Sequence, residues 1–300
     1  MGEIIGNAQA TPGRIFALAR LIGRLGEPTR ERVMDLLQPA EDGAKQDAAR
    51  TTIKEAIDAG VVVQERESGK LWLSDEARQA VVSADGFRRY MASRLCGIRN
   101  VDGNNYYLNQ FTAWYAVQNE TALSLRSGIN LADAFNSHLY PNQDVRVIND
   151  TKLNGWRNWA AYLGWGTSYK MGTADFILPN AVVRVGDLLP MVFSTDRESL
   201  PVSEFMRRLS TLAPELDDGE LYQVAWEASF PATEPQYLSL MLSTALRTLH
   251  ETGVIVLRRD ADAAELRRLY PAEGTPHRAI SHITPIRLWA DGATSQGAEA

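Results

Sequence analysis

Apolar positions in one early stretch, residues 46–73, first follow the period of a helix and then form two short runs. The helical part repeats small and apolar residues at steps of three and four, which places them on one face that must be buried. These residues are Ala49, Ile53, Ala56 and Ile57. Gly60 comes next, and a residue without a Cβ favours the left-handed backbone that ends a helix. The stretch therefore predicts a helix that ends at Gly60.

Two apolar runs follow this helix. Val61–Val63 is β-branched, and Leu71–Leu73 comes after the charged turn Glu67–Lys70. Apolar runs on either side of a turn that contains glycine are typical of a β-hairpin. The whole stretch therefore predicts one supersecondary unit, a helix followed by a two-stranded wing.

Two further helices are predicted before this unit. Thr11 and Pro12 are a start signal for the first helix, which Gly26 ends. Thr29 is the expected N-cap of the second, whose short apolar face stops at Pro39. Three helices followed by a hairpin resemble the winged-helix family, a variant of the helix-turn-helix class, over about the first 80 residues. The resemblance implies a DNA-binding unit in which the third helix is the recognition element.

If the resemblance extends to function, cations on the third helix and the wing would contact DNA, and cations at the start of the second helix would reach phosphates. The candidate DNA-binding residues are Arg30, Arg32, Lys45, Arg50, Lys54, Arg66 and Lys70. Acidic residues interleave with them, namely Asp47, Glu55, Asp58, Glu65 and Glu67. An ordinary solvated surface or a protein-binding surface therefore stays open as an alternative.

The middle of the chain, residues 86–184, is rich in aromatic side chains and net basic, whereas the whole chain has a net charge of −6. Cations among aromatics suit a surface on which bases stack while phosphates are neutralised, and the exposed candidates here are Arg146, Lys152 and Arg157. The alternative is a core. Trp156, Trp159 and Leu163 fall on one face of a helix that Asn149 or Asp150 would cap and Gly164 would end. We favour the core, because large aromatics dominate buried area.

A second copy of the opening pattern is predicted over residues 185–270. Aligning Gly253 with Gly60 superposes the apolar positions of the two preceding helices, and it also superposes the two β-branched runs that follow. Residues 261–270 are expected to follow or replace the returning strand. The helix before Gly253 is apolar, and a helix of this kind suits a protein groove. Its candidate partner-binding residues are Tyr237, Met241 and Arg247. Arginines in the wing, namely Arg258, Arg259, Arg267 and Arg268, keep DNA binding open as an alternative.

The predicted fold is mainly α, with small wings. It consists of a winged helix at residues 1–85, a helical aromatic-rich middle at 86–184, a second winged helix at 185–270 and an extension at 271–300 whose end is disordered. The single cysteine, Cys96, fits a reducing compartment. Without a signal sequence or a membrane-spanning stretch, the chain is expected to be soluble and cytoplasmic.

Motifs for catalysis are weak. A phosphate-binding GxxxxGK[ST] loop is missing from the sequence, and the spacing of His277 and His282 does not suit a zinc site. Asp133, Asp144, Asp150 and Lys152 resemble the carboxylates and lysine with which restriction-type nucleases hold Mg²⁺ and polarise a phosphate. A helix cap explains Asp150 more simply. We therefore expect a non-catalytic protein that binds neither cofactor nor metal.

Taken whole, the chain also resembles the DpdG family, a component of gene clusters that insert and police 7-deazaguanine bases in DNA. The likeness rests on length, layout and the stretch NGWRNWAAYLGWG at Asn154–Gly166. It implies a defence-related role in restriction and assigns no catalytic residue. We expect a DNA-binding or adaptor subunit of a prokaryotic modification, restriction or phage-defence system, with DNA and other protein subunits as partners. The alternatives are a stand-alone regulator, which would form a homodimer on a palindromic site, and a protein-only scaffold.

Overall fold

The computed structural model describes most of the chain. Its described residues are 3–39, 46–124, 131–144, 146–172, 174–193, 199–272, 274 and 278–287. Within them the fold is mainly α with small antiparallel sheets, which confirms the predicted class. Lys45 and His277 lie outside the described residues, as does the end of the C-terminal extension.

The N-terminal unit has the predicted order of three helices and a hairpin. Its elements are α1 (Pro12–Leu25), α2 (Arg30–Leu37), α3 (Asp47–Asp58), β1 (Val62–Gln64) and β2 (Leu71–Leu73). The side chains of Thr11 and Thr29 cap α1 and α2, as expected, because each hydroxyl accepts a backbone N–H of the first turn. Thr29 also forms a β-bridge with Lys70, so the start of α2 is joined to the hairpin.

The described part of the middle segment contains five helices and a hairpin. Its elements are α5 (Ala84–Leu95), α6 (Tyr106–Gln118), α7 (Thr121–Ser124), α8 (Leu131–Leu139), α9 (Asp150–Leu163), β3 (Gly166–Met171) and β4 (Ala174–Pro179), and the short α4 (Asp75–Ala80) precedes them. Every residue of α6 except Tyr107 is buried. A helix that is buried on all sides is a core helix, and α6 packs against α8 and α9 through Phe111, which contacts Phe135 and Trp156.

The tryptophans of the middle segment are core residues, as we favoured from their spacing. Trp114, Trp156, Trp159 and Trp165 are each at most 1% exposed. The indole N–H of Trp156 donates to Thr112 Oγ1 at 2.9 Å, so its polar atom is also satisfied. Asn149 caps α9, and Gly164 ends it with φ of 86°. These aromatics cannot stack with bases, because they are enclosed.

Within its described residues, the C-terminal unit has four helices and two small sheets. Its elements are α10 (Val182–Val192), β5 (Leu200–Pro201), α11 (Val202–Leu212), α12 (Glu220–Ser229), α13 (Leu240–Glu251), β6 (Ile255–Arg258), β7 (Arg267–Arg268), β8 (Ala279–Ile280) and β9 (His282–Pro285). The sheet order is β5-β9-β6, and β7 pairs with β8. The expectation that residues 261–270 follow or replace the returning strand is wrong. The strand that returns beside β6 is β9, beyond the predicted end of the unit at 270.

The predicted internal repeat is confirmed at the two helix-to-strand junctions. Gly60 and Gly253 have φ of 73° and 70°, the left-handed region that glycine adopts without strain. Val61 N–H donates to the carbonyl five residues before it at 2.9 Å, and Val254 N–H makes the same bond at 2.9 Å. Both helices therefore end with the same hydrogen-bonded turn and lead directly into a strand.

The buried hydrophobic side chains form one continuous cluster from Ile4 to Ile283. The N-terminal residues take part in it: Ile4 N–H donates to Asn105 Oδ1 at 2.9 Å, and a short 3₁₀ helix, Ile4–Gly6, packs against α9. An ion pair between Arg88 and Asp187 also joins the middle segment to α10, with Nη2 3.0 Å from Oδ1. The division into units at residues 85 and 184 stays a prediction from sequence.

A buried carboxylate fixes the start of α13. Ser239 is the N-cap of this helix, and its hydroxyl donates to Asp217 Oδ2 at 2.6 Å. Asp217 is 2% exposed, and its burial raises the pKa of the carboxyl from 3.8 to about 6, because the charged form loses its hydration. The folded protein therefore binds the proton of the Asp217 carboxyl more tightly than the unfolded chain does.

Replacement of Asp217 by asparagine is expected to flatten the pH dependence of stability below neutrality. In the parent, the stabilising contribution of the proton is fully present below pH 3.8 and is lost as pH rises through about 6. The free energy of unfolding, measured in denaturant from about pH 4 to about pH 8, should show this slope in the parent and lose it in Asp217→Asn. Asp262→Asn, an exposed change in the same unit, is the control. An unchanged slope in Asp217→Asn would contradict the prediction.

Candidate nucleic-acid interface

Three of the predicted DNA-binding cations meet in one shallow groove. Arg30 begins α2, and Arg50 and Lys54 lie one turn apart on α3. Together with Gln64 of β1 they line a groove of about 430 Å³ on the N-terminal unit. Arg30 Nη1 donates to Gln64 Oε1 at 3.3 Å, which ties the start of α2 to the hairpin. The start of one helix, the face of another and a strand therefore form a single surface.

The orientation of the cations follows from the amphipathic pattern of α3. Ala49, Ile53 and Ala56 are buried, as predicted from their spacing. Residues four apart share a helix face, so Arg50 and Lys54 lie together on the opposite side, where both are exposed. Burial of one face therefore fixes the direction in which the other face presents its charges.

Carboxylates of the same helix compete for these cations. Lys54 Nζ lies 2.8 Å from Asp58 Oδ2 and 3.3 Å from Glu55 Oε1, and the hydrogen bond to Asp58 is the main cause that raises the pKa of Lys54. Arg50 Nη1 is 3.9 Å from Asp47 Oδ1. The pairs with Asp58 and Asp47 are exposed and contribute at most about 1 kcal/mol, so a phosphate can displace these two carboxylates, whereas Glu55 is 7% exposed. The solvated-surface alternative nevertheless stays open.

Among the described residues, the other predicted cations of the N-terminal unit do not line this groove. Arg32 and Arg66 are exposed, and Lys70 Nζ lies 3.4 Å from Glu27 Oε2. Two groove residues, Thr51 and Gln64, were missed from sequence because both are uncharged. Thr51 lies three residues before Lys54, so helical spacing from Lys54 would have found it, whereas Gln64 needs the hairpin register.

The cations proposed in the middle segment make internal contacts. Arg146 Nη1 pairs with Asp133 Oδ1 at 2.9 Å, and Arg157 Nη1 donates to Asn154 Oδ1 at 2.9 Å. Lys152 Nζ donates to a backbone carbonyl at 2.8 Å and lies 5.1 Å from the centre of a tyrosine ring. None of the three lines the groove on the N-terminal unit.

The described residues do not assemble the metal site of a nuclease. Residues 147 and 148, which precede Asp150, form a bend in which Asn136 Oδ1 accepts the N–H of Val147 at 2.8 Å. Asp133 is engaged by Arg146, and the described part of the chain holds no cluster of three side chains able to ligate a metal. The cap of α9 is Asn149 rather than Asp150.

The predicted partner-binding face of α13 needs a correction. Met241 is fully buried and Arg247 is 7% exposed, whereas Tyr237 is 38% exposed. The apolar side chains of α13 pack into the protein's own core, so Met241 does not face a partner. Apolar composition alone did not distinguish an internal surface from an external one.

Fold and surface together describe a mainly helical protein built around one buried helix, with a cationic groove near its N-terminus. The chain belongs to the DpdG-like family, whose model matches residues 3–263. The resemblance inferred from sequence is confirmed. No curated protein matches the chain, and no solved structure matches it. Among the described residues, the helices are too short or too polar for any of them to cross a bilayer.

Proposed function

We propose that this protein is a non-catalytic DNA-binding and adaptor subunit of a multi-protein DNA modification and restriction system. Its N-terminal unit acts as a winged helix that holds DNA, and its other surfaces contact protein subunits. The convergence of Arg30, Arg50 and Lys54 in one groove carries the proposal. Membership of the DpdG-like family supports the association with a DNA modification system.

The groove suits a phosphate backbone for two physical reasons. First, Arg30 lies at the start of α2, and the positive end of the helix dipole attracts anions. Second, Arg50 and Lys54 exchange weak surface ion pairs for phosphate contacts, and the release of counterions from DNA then favours binding. The net charge of −6 means that binding depends on this local surface rather than on the whole chain.

The double variant Arg50→Ala/Lys54→Ala is expected to lower the affinity for duplex DNA by about tenfold or more. Each lost phosphate contact should also reduce the slope of log affinity against log salt by about 1, so the double variant should lose about 2. A salt titration by fluorescence anisotropy measures both quantities. Unfolding curves are measured in parallel, because Lys54 also pairs with Glu55, which is 7% exposed, whereas Arg50→Ala alone should leave the curve unchanged.

Arg24→Ala is the matched control, since Arg24 is an exposed arginine of α1 that does not line the groove. DNA binding by the parent without salt dependence, or equal losses in Arg24→Ala and the double variant, would exclude this groove as the DNA site. A homodimer that protects a palindromic site would instead indicate a stand-alone regulator.

A further inference from the structure

A second groove lies on the C-terminal unit, between α13 and the long connection from β6 to β9. Its volume is about 670 Å³, which is within the range of pockets that bind small molecules. The described residues that line it include four arginines and no carboxylate. The arginines are Arg247, Arg259, Arg268 and Arg278. In a chain with a net charge of −6, this is a concentrated local excess of positive charge.

Backbone hydrogen bonds hold the arginine-bearing segments in place. Leu238 N–H donates to the Arg268 carbonyl at 2.8 Å, and Leu269 N–H donates to the Arg278 carbonyl at 2.9 Å. Arg247 Nη2 donates to the Tyr270 carbonyl at 2.8 Å, which fixes α13 to the same segment. The groove is therefore formed before a ligand arrives, which reduces the ordering cost of binding.

Two nearby carboxylates, Asp260 and Asp218, contact groups outside the groove. Asp260 Oδ2 lies 2.9 Å from His282 Nδ1, and Asp218 Oδ2 lies 2.7 Å from Arg267 Nη2. No described carboxylate forms an ion pair with Arg259 or Arg278. Their guanidinium groups therefore remain available for an anionic ligand.

Apolar side chains form the rest of the groove. Leu266 is 44% exposed and Tyr237 is 38% exposed, and both line the groove together with Pro271. A small inorganic anion would leave these surfaces unused. A ligand that joins a phosphate to a flat ring would use both, because guanidinium groups bind phosphate through paired hydrogen bonds and a tyrosine ring stacks with a base.

We propose that this groove binds a nucleoside phosphate, with the arginines around the phosphate and Tyr237 and Leu266 against the base. The ligand has two potential sources, a free nucleotide or one nucleotide unit of a single strand. The site shares no residue with the DNA groove of the N-terminal unit, so the two proposals stand independently.

Calorimetric titration of the full chain with adenosine 5′-monophosphate tests the site. Saturable binding is expected, and adenosine alone and inorganic phosphate alone should each bind at least about tenfold more weakly, since each lacks half of the contacts. A single-stranded tetranucleotide distinguishes the sources: an affinity at least about tenfold higher assigns a strand, and a similar affinity assigns a free nucleotide. Failure of the monophosphate to bind, or tighter binding of a glutamate-rich peptide, would overturn the proposal.

Adjacent arginines give a matched pair of variants. Arg259 lines the groove, whereas its neighbour Arg258 is equally solvent-exposed but does not line it. Arg259→Ala should weaken binding of the monophosphate by about tenfold or more, and Arg258→Ala should leave it within about twofold. Tyr237→Leu should weaken binding of the monophosphate without affecting inorganic phosphate. Equal losses in Arg258→Ala and Arg259→Ala would overturn the assignment.

Arg50→Ala separates this site from the DNA groove. It should leave monophosphate binding unchanged, even if DNA binding is lost. Loss of monophosphate binding in Arg50→Ala, with none in Arg259→Ala, would place the ligand in the N-terminal groove and overturn the proposal.

Discussion

Replacement of Arg184 by methionine is expected to lower the free energy of unfolding by about 3–5 kcal/mol. Arg184 lies on α10 and is 5% exposed, and its Nε donates to Glu215 Oε1 at 3.0 Å. Glu215 is fully buried, and the same oxygen accepts the indole N–H of Trp165 at 3.1 Å. Methionine fills much of the arginine's volume but leaves the carboxylate in the core without its cation. Denaturant unfolding measures the loss.

The double variant Arg184→Met/Glu215→Gln is the control for this prediction. It should recover much of the stability, because the amide carries no charge while its oxygen can still accept the indole N–H of Trp165. Equal instability of the single and double variants would show that Arg184 acts mainly through another contact. One such contact is the bond from its Nη2 to the Leu212 carbonyl at 3.3 Å.

Sequence reasoning succeeded where the structural signal is local. Thr11 and Thr29 are caps because a hydroxyl next to a helix start satisfies a nearby N–H, and no distant residue is needed. The junction at Gly60 depends on its own φ, and its copy at Gly253 shares both conformation and hydrogen bonding. The buried tryptophans of α9 follow from helical spacing alone.

Sequence reasoning failed where distant segments meet. Arg258 of β6 pairs with His282 of β9 across a long connection, and no periodic pattern in residues 259–281 indicates that partner. The pair formed by Arg184 and Glu215 is equally hard to predict, because the two residues are 31 positions apart and Glu215 lies in a turn after α11. Met241 shows a related limit, since an apolar helix face looks the same in sequence whether it meets the core or a partner.

The two candidate sites also differ in how much of each could be predicted from the sequence. Arg50 and Lys54 follow from helical spacing, and Arg30 was predicted separately at the start of the second helix. The structure shows that these three residues and Gln64 line one groove. The arginine groove of the C-terminal unit draws its charges from four separate segments, so only the fold brings them together. Its sequence signal was limited to the arginines of the predicted wing, such as Arg259, which kept DNA binding open as an alternative.

Replacement of Gly155 by alanine is expected to lower the free energy of unfolding by about 3 kcal/mol, because overpacking against backbone is costly. Gly155 lies in α9, where the Ile4–Gly6 segment crosses the helix. A Cβ at this position would lie 2.3 Å from the Ile5 carbonyl oxygen, so the backbone of one segment must move. Intrinsic propensity favours alanine over glycine within a helix by about 1 kcal/mol, and the clash must exceed that gain.

Gly13→Ala makes the same chemical change in α1, where a Cβ meets no atom within 4 Å. It should raise the free energy of unfolding by about 0.5 kcal/mol, since only the propensity and the entropy of the unfolded chain change. A lower free energy of unfolding in Gly155→Ala, together with a higher one in Gly13→Ala, would attribute the loss at Gly155 to the crossing segment. Faster hydrogen exchange at the Ile4 amide, which is bonded to Asn105, should accompany the loss in Gly155→Ala. A neutral Gly155→Ala with unchanged exchange would instead mean that the N-terminal segment does not dock on α9 in solution.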